Sequence, residues 1–311
     1  MITERSNITS EPVFYIFAFS ESENQRLIIL VTVLLIYLII LSGNLLIISL
    51  ISLEPRLHTP MYFFLCNLST LDIVFSSTTL PKLMYICLTG DHVVSYASCL
   101  AQMYLSIAFG DLECFLLTSM AIDRYVAVCF PLHYSLIMSK KVCGLLVFPA
   151  WFMSMVNSSI LTSLTCNLSY FGLVEVKNFF CELKSLMNIT ISDTTSLKIS
   201  ITVAVMYVAL IPSCMILASY VCIIRTVLKI KSLAGRWKTF SSCSSHITIV
   251  IAFYGCGMTL YMSQSHEQEL ILSLMFYTLV PMLNPLVYSL RNKDITWAIR
   301  RRMNKKISCS L

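Results

Sequence analysis

The chain of 311 residues is short of charge. Asp, Glu, Lys and Arg make up 12% of it, against about 25% in an average soluble domain. With 57% of its residues hydrophobic, it cannot build an ordinary water-facing skin, so a soluble globular fold is excluded. The mean hydropathy of +0.79 excludes disorder as well. No CxxC pair occurs although the chain has 13 cysteines, which removes support for a zinc or thiol-redox site. Most of them, including Cys114, Cys214, Cys222 and Cys256, sit in apolar runs and read as small hydrophobes. No basic segment interleaved with aromatics accompanies the net charge of +6, so nucleic acid is not expected as a partner. No internal repeat supports an inverted-repeat transporter. No nucleophile–base or metal-ligand motif supports an enzyme, and no catalytic residue is assigned. No apolar h-region with a cleavage site precedes the first long apolar run, so that run is expected to act as the targeting signal.

What the chain does have is apolar runs, near 27–51, 59–87, 98–129, 142–165, 197–228, 239–262 and 270–290. Each is long enough to cross a bilayer as a tilted helix, which needs about 20 residues. Proline and glycine inside them do not argue against helix, because neighbouring helices absorb kinks. The expected fold is an all-α membrane bundle of seven spans. Residues 1–25 would form an outer segment with a glycosylation sequon at Asn7, 26–290 the bundle, and 291–311 a tail on the inner leaflet. With the N-terminus outside, 16 of the 22 basic residues fall on the inner side. Only Arg5, Arg26, Lys82, Lys177, Lys184 and Lys198 fall on the outer one. The positive-inside rule therefore favours N-out and C-in. Arg291 to Lys306 reads as a short basic amphipathic helix lying on the membrane, with Ile295, Trp297, Ile299 and Met303 among the basic residues.

Five segments narrow the reading. Met120 to Cys129 reads MAIDRYVAVC, Leu57 to Leu65 reads LHTPMYFFL, and Ser219-Tyr220 ends the fifth run. Lys238 to His246 reads KTFSSCSSH, and Pro281 to Asn292 reads PMLNPLVYSLRN. In this order, across nearly the whole chain, they resemble the odorant receptors, a branch of the rhodopsin-like G-protein-coupled receptors, in its tetrapod-type class. The family forms are MAYDRYVAIC, LHTPMYFFL, KAFSTCxSH and PMLNPxxYSLRN. Ile122 and Thr239 depart from them without touching the residues of the expected switch.

That resemblance implies a non-enzymatic receptor for small volatile odorants. It implies a stimulatory, olfactory-type heterotrimeric G protein as partner, cyclic AMP as output, and the plasma membrane of olfactory cilia as the location. The same fold serving as a chemoreceptor outside the nose is an alternative. A retinal pigment is excluded because residues 270–290 contain no lysine for a Schiff base, and a transporter would want more polar residues along a path. The switch for G-protein coupling would comprise Asp123, Arg124, Tyr125, Tyr220, His246, Asn284, Pro285 and Tyr288. His246 can also be read as a buried neutral histidine without a role. Tyr254 would be the toggle, since the sixth run has Phe253-Tyr254-Gly255 and no proline beside it. Pro285 and Pro212 remove helix hydrogen bonds and allow bending.

Asp72 and Glu113 are ionisable groups inside the membrane, where such groups are functional by default. The resemblance implies that they share a sodium or proton site with Asn284; the other reading is a protonated, hydrogen-bonded pair. The odorant pocket would be lined by Ser106, Ile107, Gly110, Asp111 and Cys114 from the third helix. Ala204, Val205 and Val208 would follow from the fifth, Gly257, Met258 and Tyr261 from the sixth, and Tyr277 from the seventh. Asp111 can bind a donor-bearing odorant such as an alcohol or amine, or it can be bonded to a neighbouring helix. The resemblance also implies a disulfide between Cys99 and Cys181 that pins the outer loop 166–196 over the pocket. Ile191 stands where a partner for Cys166 is often found, so Cys166 is expected to be a free thiol. Asn178 replaces the family's histidine before Phe179-Phe180-Cys181.

Overall fold

The computed structural model describes residues 13–16, 22–170, 173–263, 265–291 and 293–309. Seven long helices span Glu23–Leu53 (α1), Pro60–Thr89 (α2), Tyr96–Cys129 (α3), Lys140–Cys166 (α4), Thr195–Lys229 (α5), Leu233–Met262 (α6) and His266–Arg291 (α7). An eighth, α8, covers Lys293–Cys309. All seven long helices are apolar enough to cross a membrane, and their outer faces carry large hydrophobic side chains such as Leu35, Phe148 and Leu217. A water-soluble protein rarely exposes so continuous an apolar surface. Here lipid takes the place of water.

Local signals place the helix ends. Pro60 opens α2, where its missing N–H costs nothing. The serine hydroxyls of Ser95, Ser139 and Ser232 cap α3, α4 and α6 by accepting from the backbone N–H three residues on. The cap at Ser232 starts α6 at Leu233, ahead of the expected 239. Gly90 ends α2 at φ 70, where a side chain would be strained and a Cβ would lie 2.6 Å from Arg26 Nη1.

The most enclosed helix is α3, which packs on α2, α4, α5 and α6. The kink expected at Pro212 takes a specific form. Val205–Leu210 is a π-helical turn, and Pro212 begins the α-helical stretch after it. The wider turn absorbs the N–H that proline lacks and the room its ring needs. At the Cys99 end lies a small sheet that the polar reading of residues 1–25 did not anticipate. Its strands are Val13–Ile16 (β1), Val93–Ser95 (β2) and Leu173–Val176 (β3), in the order β2-β1-β3. The central strand runs antiparallel to β2, with Val13 opposite Ser95, and parallel to β3, with Val13 opposite Leu173. Its alternation buries Phe14 and Ile16, and Phe14 stacks on Tyr96 at 5.9 Å.

Candidate functional site

At one end of the bundle, α3 closes with the acidic–basic pair. Asp123 is buried, and its carboxylate lies 3.5 Å from Arg124 Nη2. Its other oxygen accepts from the Tyr134 hydroxyl at 2.7 Å. Tyr134 belongs to the helical turn Tyr134–Ile137, so the loop after α3 is tied back to the pair. Arg124 also lies within electrostatic reach of Tyr220 and Tyr288. Tyr125 is half-buried, and its ring packs edge-on against Phe130 at 5.7 Å.

One turn deeper, three helices meet at His246. Its Nε2 lies 3.0 Å from the Leu117 carbonyl of α3, and its Nδ1 lies 2.6 Å from the Tyr220 hydroxyl of α5. A carbonyl only accepts, so Nε2 carries the proton. In the neutral ring Nδ1 therefore accepts from Tyr220. The ring ties α6 to α3 and α5 at once.

The prolines of α7 explain the next contact. Pro285 has no N–H to offer the carbonyl of Pro281 one turn back. Asn44 of α1 supplies a donor instead, its Nδ2 reaching Pro281 O at 3.2 Å and Ile40 O at 3.1 Å. Gly43 makes the approach feasible, because a Cβ there would lie 3.0 Å from Pro285 Cβ and Cγ.

The middle of the bundle holds a buried polar cluster. Asn284 Nδ2 donates to both oxygens of Asp72, at 3.0 and 2.9 Å. Glu113 lies within electrostatic reach of Asp72. Both Glu113 oxygens, Asn284 Oδ1 and the Tyr288 hydroxyl are buried without a hydrogen-bond partner among the described residues. Two carboxylates side by side repel unless a positive charge is shared, and the unpartnered atoms of Glu113 and Asn284 are acceptor oxygens. That donor set fits a hard cation. Tyr254 stands beside Glu113 and Cys114, with its hydroxyl also without a normal hydrogen bond.

Toward the disulfide end, Ser106, Cys114, Ala204, Val208 and Tyr277 are buried, while Ile107, Gly110, Asp111 and Gly257 are half-buried. A Cβ on Gly110 would meet nothing within 4 Å. Asp111 accepts from Asn157 Nδ2 of α4 at 2.7 Å. Tyr277 sits among aromatic rings, 4.7 Å from Phe75 and 4.5 Å from Phe180 between centroids. The loop after α4 forms the roof. Cys99 and Cys181 are bonded, with Cα atoms 5.3 Å apart. Gln102 of α3 accepts from Cys181 N at 3.0 Å and donates to Thr78 O of α2 at 2.8 Å. Phe179 and Phe180, within the roof itself, are fully buried, and Cys166 is a free, exposed thiol.

The family model for olfactory receptors matches residues 33–306. The chain belongs to the olfactory receptor family. It is 40% identical over 311 residues to olfactory receptor 1M1 of Mus musculus, covering 99% of each chain. It is 44% identical over 272 residues to olfactory receptor 1496 of Rattus norvegicus, covering 86% of this chain and 88% of that one. Its fold is like that of squid rhodopsin, with a TM-score of 0.75 at 17% identity over 94% of this chain and 89% of the other. The protein is thus a multi-pass membrane receptor and not an enzyme.

Two residues expected in the receptor's pocket face the wrong way. Met258 is 64% exposed and Val205 45% exposed on the outer surface. On α6 the inward stripe runs through His246, Ile249 and Phe253, and continuing its helical period points Gly257 inward and Met258 outward. On α5, Ala204 and Val208 take the inward positions and Val205 falls between them. The Asn7 sequon and the Tyr261 side chain lie outside the described residues.

The sequence reading also overlooked several receptor residues. Asn44 was legible as a lone amide in the apolar run 27–51. Asn157 stands inside the apolar run 142–165, where an amide needs a buried partner. Tyr134 and Glu182 carried no periodic or motif signal, and only the folded loops bring them to their partners.

Proposed function

We propose that this receptor binds small volatile odorants in the disulfide-end half of its bundle. It then activates a stimulatory, olfactory-type G protein and raises cyclic AMP. Its N-terminus is outside, in the plasma membrane of olfactory cilia. The observation that carries the reading is the closed Asp123–Arg124–Tyr134 cluster in a chain of this family. Beside it Leu132 and Leu136 project 92% and 82% exposed, an apolar edge suited to a partner entering from the inner side.

An odorant that binds the active arrangement more tightly shifts the population toward it. Opening Asp123–Arg124 frees the guanidinium for Tyr220, Tyr288 or the partner. Apolar side chains supply most of the binding free energy, as in other small-molecule sites. Asp72, Glu113 and Asn284 would hold a sodium ion, whose positive charge balances the two carboxylates. Asp111 is already engaged by Asn157, which favours a role in joining α3 to α4.

The test is cyclic AMP in cells expressing the surface-tagged receptor, exposed to volatile alcohols, acids, amines and esters. The expected result is a dose-dependent rise that disappears in Arg124→Ala at equal surface expression. A rise that survives Arg124→Ala would sink the switch assignment.

A further inference from the structure

The roof carries a charged cluster that odorant binding and G-protein coupling leave unused. Glu182 directly follows the bonded Cys181, and its Oε2 accepts from Asn178 Nδ2 at 2.6 Å. Asn178 in turn accepts from Phe179 N at 2.8 Å, which braces the amide against the loop backbone. One residue pair further, Lys184 Nζ lies 3.1 Å from Glu269 Oε2. Lys184 belongs to the loop helix Leu183–Ile189 and Glu269 to the first turn of α7, so this pair fastens roof to bundle. Among the described residues, the titratable groups facing Glu182 are Lys184 on the loop, and Glu269 and Tyr277 on α7. When Glu182 is ionised, two carboxylates compete for one ammonium. Asn178 stands where the family has a histidine, so this receptor offers Glu182 a neutral donor that adds no positive charge.

We propose that Glu182 is the proton-binding element of a clasp through which acid outside the membrane tightens the loop 166–196 onto α7. The clasp rests on the N-out orientation argued above, which puts this face in the external medium. Burial first, and the charge of Glu269 second, push the Glu182 carboxyl up to about 7, against the opposing pull of Lys184 and Asn178. In an opened roof the same carboxyl meets water and returns to about 4.3. The closed form therefore binds the proton more tightly. Its advantage is greatest at acid pH and is lost as pH rises through about 7. Between pH 7.5 and 6.0 the closed-to-open ratio should rise about eightfold.

The test is hydrogen–deuterium exchange of the loop peptide 173–190 in the full receptor, purified into lipid nanodiscs, at pH 6.0 and 7.5. Taking the wild type relative to Glu182→Gln at each pH cancels the intrinsic pH dependence of exchange. Glutamine mimics the protonated acid and does not titrate, so the excess of wild-type exchange over Glu182→Gln exchange should be about eightfold larger at pH 7.5 than at pH 6.0. A ratio that does not change between the two pH values overturns the clasp. Should Glu182→Gln fail to fold, Asn178→His supplies a second reading. A histidine cation would hold Glu182 ionised, so the protection midpoint should move to lower pH, and an unmoved midpoint refutes the proposal. Neither odorant nor G protein enters the measurement, so its outcome is separable from that of the cyclic AMP assay.

Discussion

Tyr220→Phe tests whether the His246 tie holds the described arrangement of α3, α5 and α6. The substitution keeps the ring and removes only the hydroxyl that donates to His246 Nδ1. It leaves a buried nitrogen without its donor, which costs about 1–3 kcal/mol. That corresponds to a shift of about 5- to 150-fold in the equilibrium away from the described arrangement, since about 1.4 kcal/mol is tenfold. The closed Asp123–Arg124 pair belongs to that arrangement, so ligand-free cyclic AMP should rise and the unfolding midpoint of the purified receptor should fall. His246→Leu removes the contacts to both Tyr220 and the Leu117 carbonyl, and should do more. The decisive experiment is the double-mutant cycle. Once the imidazole is gone, the Tyr220 hydroxyl has no nitrogen to serve, so adding Tyr220→Phe to His246→Leu should cost little. The expected coupling is about 1–3 kcal/mol, within the range for side chains in one network. Strictly additive losses, or an unchanged basal signal at matched surface expression, would refute the tie.

Gly43→Ala places a Cβ 3.0 Å from Pro285; overpacking of this kind costs about 1–3 kcal/mol, so an unchanged melting temperature would disprove the close α1–α7 approach. In wild-type receptor, sodium chloride should raise the melting temperature relative to choline chloride, and Glu113→Gln should abolish the difference; a sodium effect that survives the substitution rules Glu113 out as a ligand. Asn157→Leu leaves the Asp111 carboxylate without its described donor at a cost of about 1–3 kcal/mol, and Asp111→Leu added to it should recover much of the loss in the same thermal assay. No recovery would mean that Asp111 has another essential partner.

The charge deficit and the spacing of apolar runs settled the seven-span bundle before any contact was known. A bilayer admits few other ways to satisfy a backbone. The motif at 120–129 and the NPxxY segment placed the Asp123–Arg124 pair and the prolines of α7, because those signals are local and survive as text. Cys99 and Cys181 were likewise legible through the resemblance. Other features depended on which face of each helix turns inward and on what the loops bring across. Met258 sits next to Gly257 in sequence but points out of the bundle, since about 100° of helical turn separates neighbours. The sheet of residues 13–16, 93–95 and 173–176 joins three distant segments by backbone hydrogen bonds, which no side-chain pattern announces. Asn44 against Pro281, Asn157 against Asp111 and Asn178 against Glu182 are polar pairs made by burial. The sequence by itself determined which residues had to leave water. Only the tertiary structure decided which polar group each of them would meet there, because a hydrogen bond is set by distance and direction and not by position along the chain.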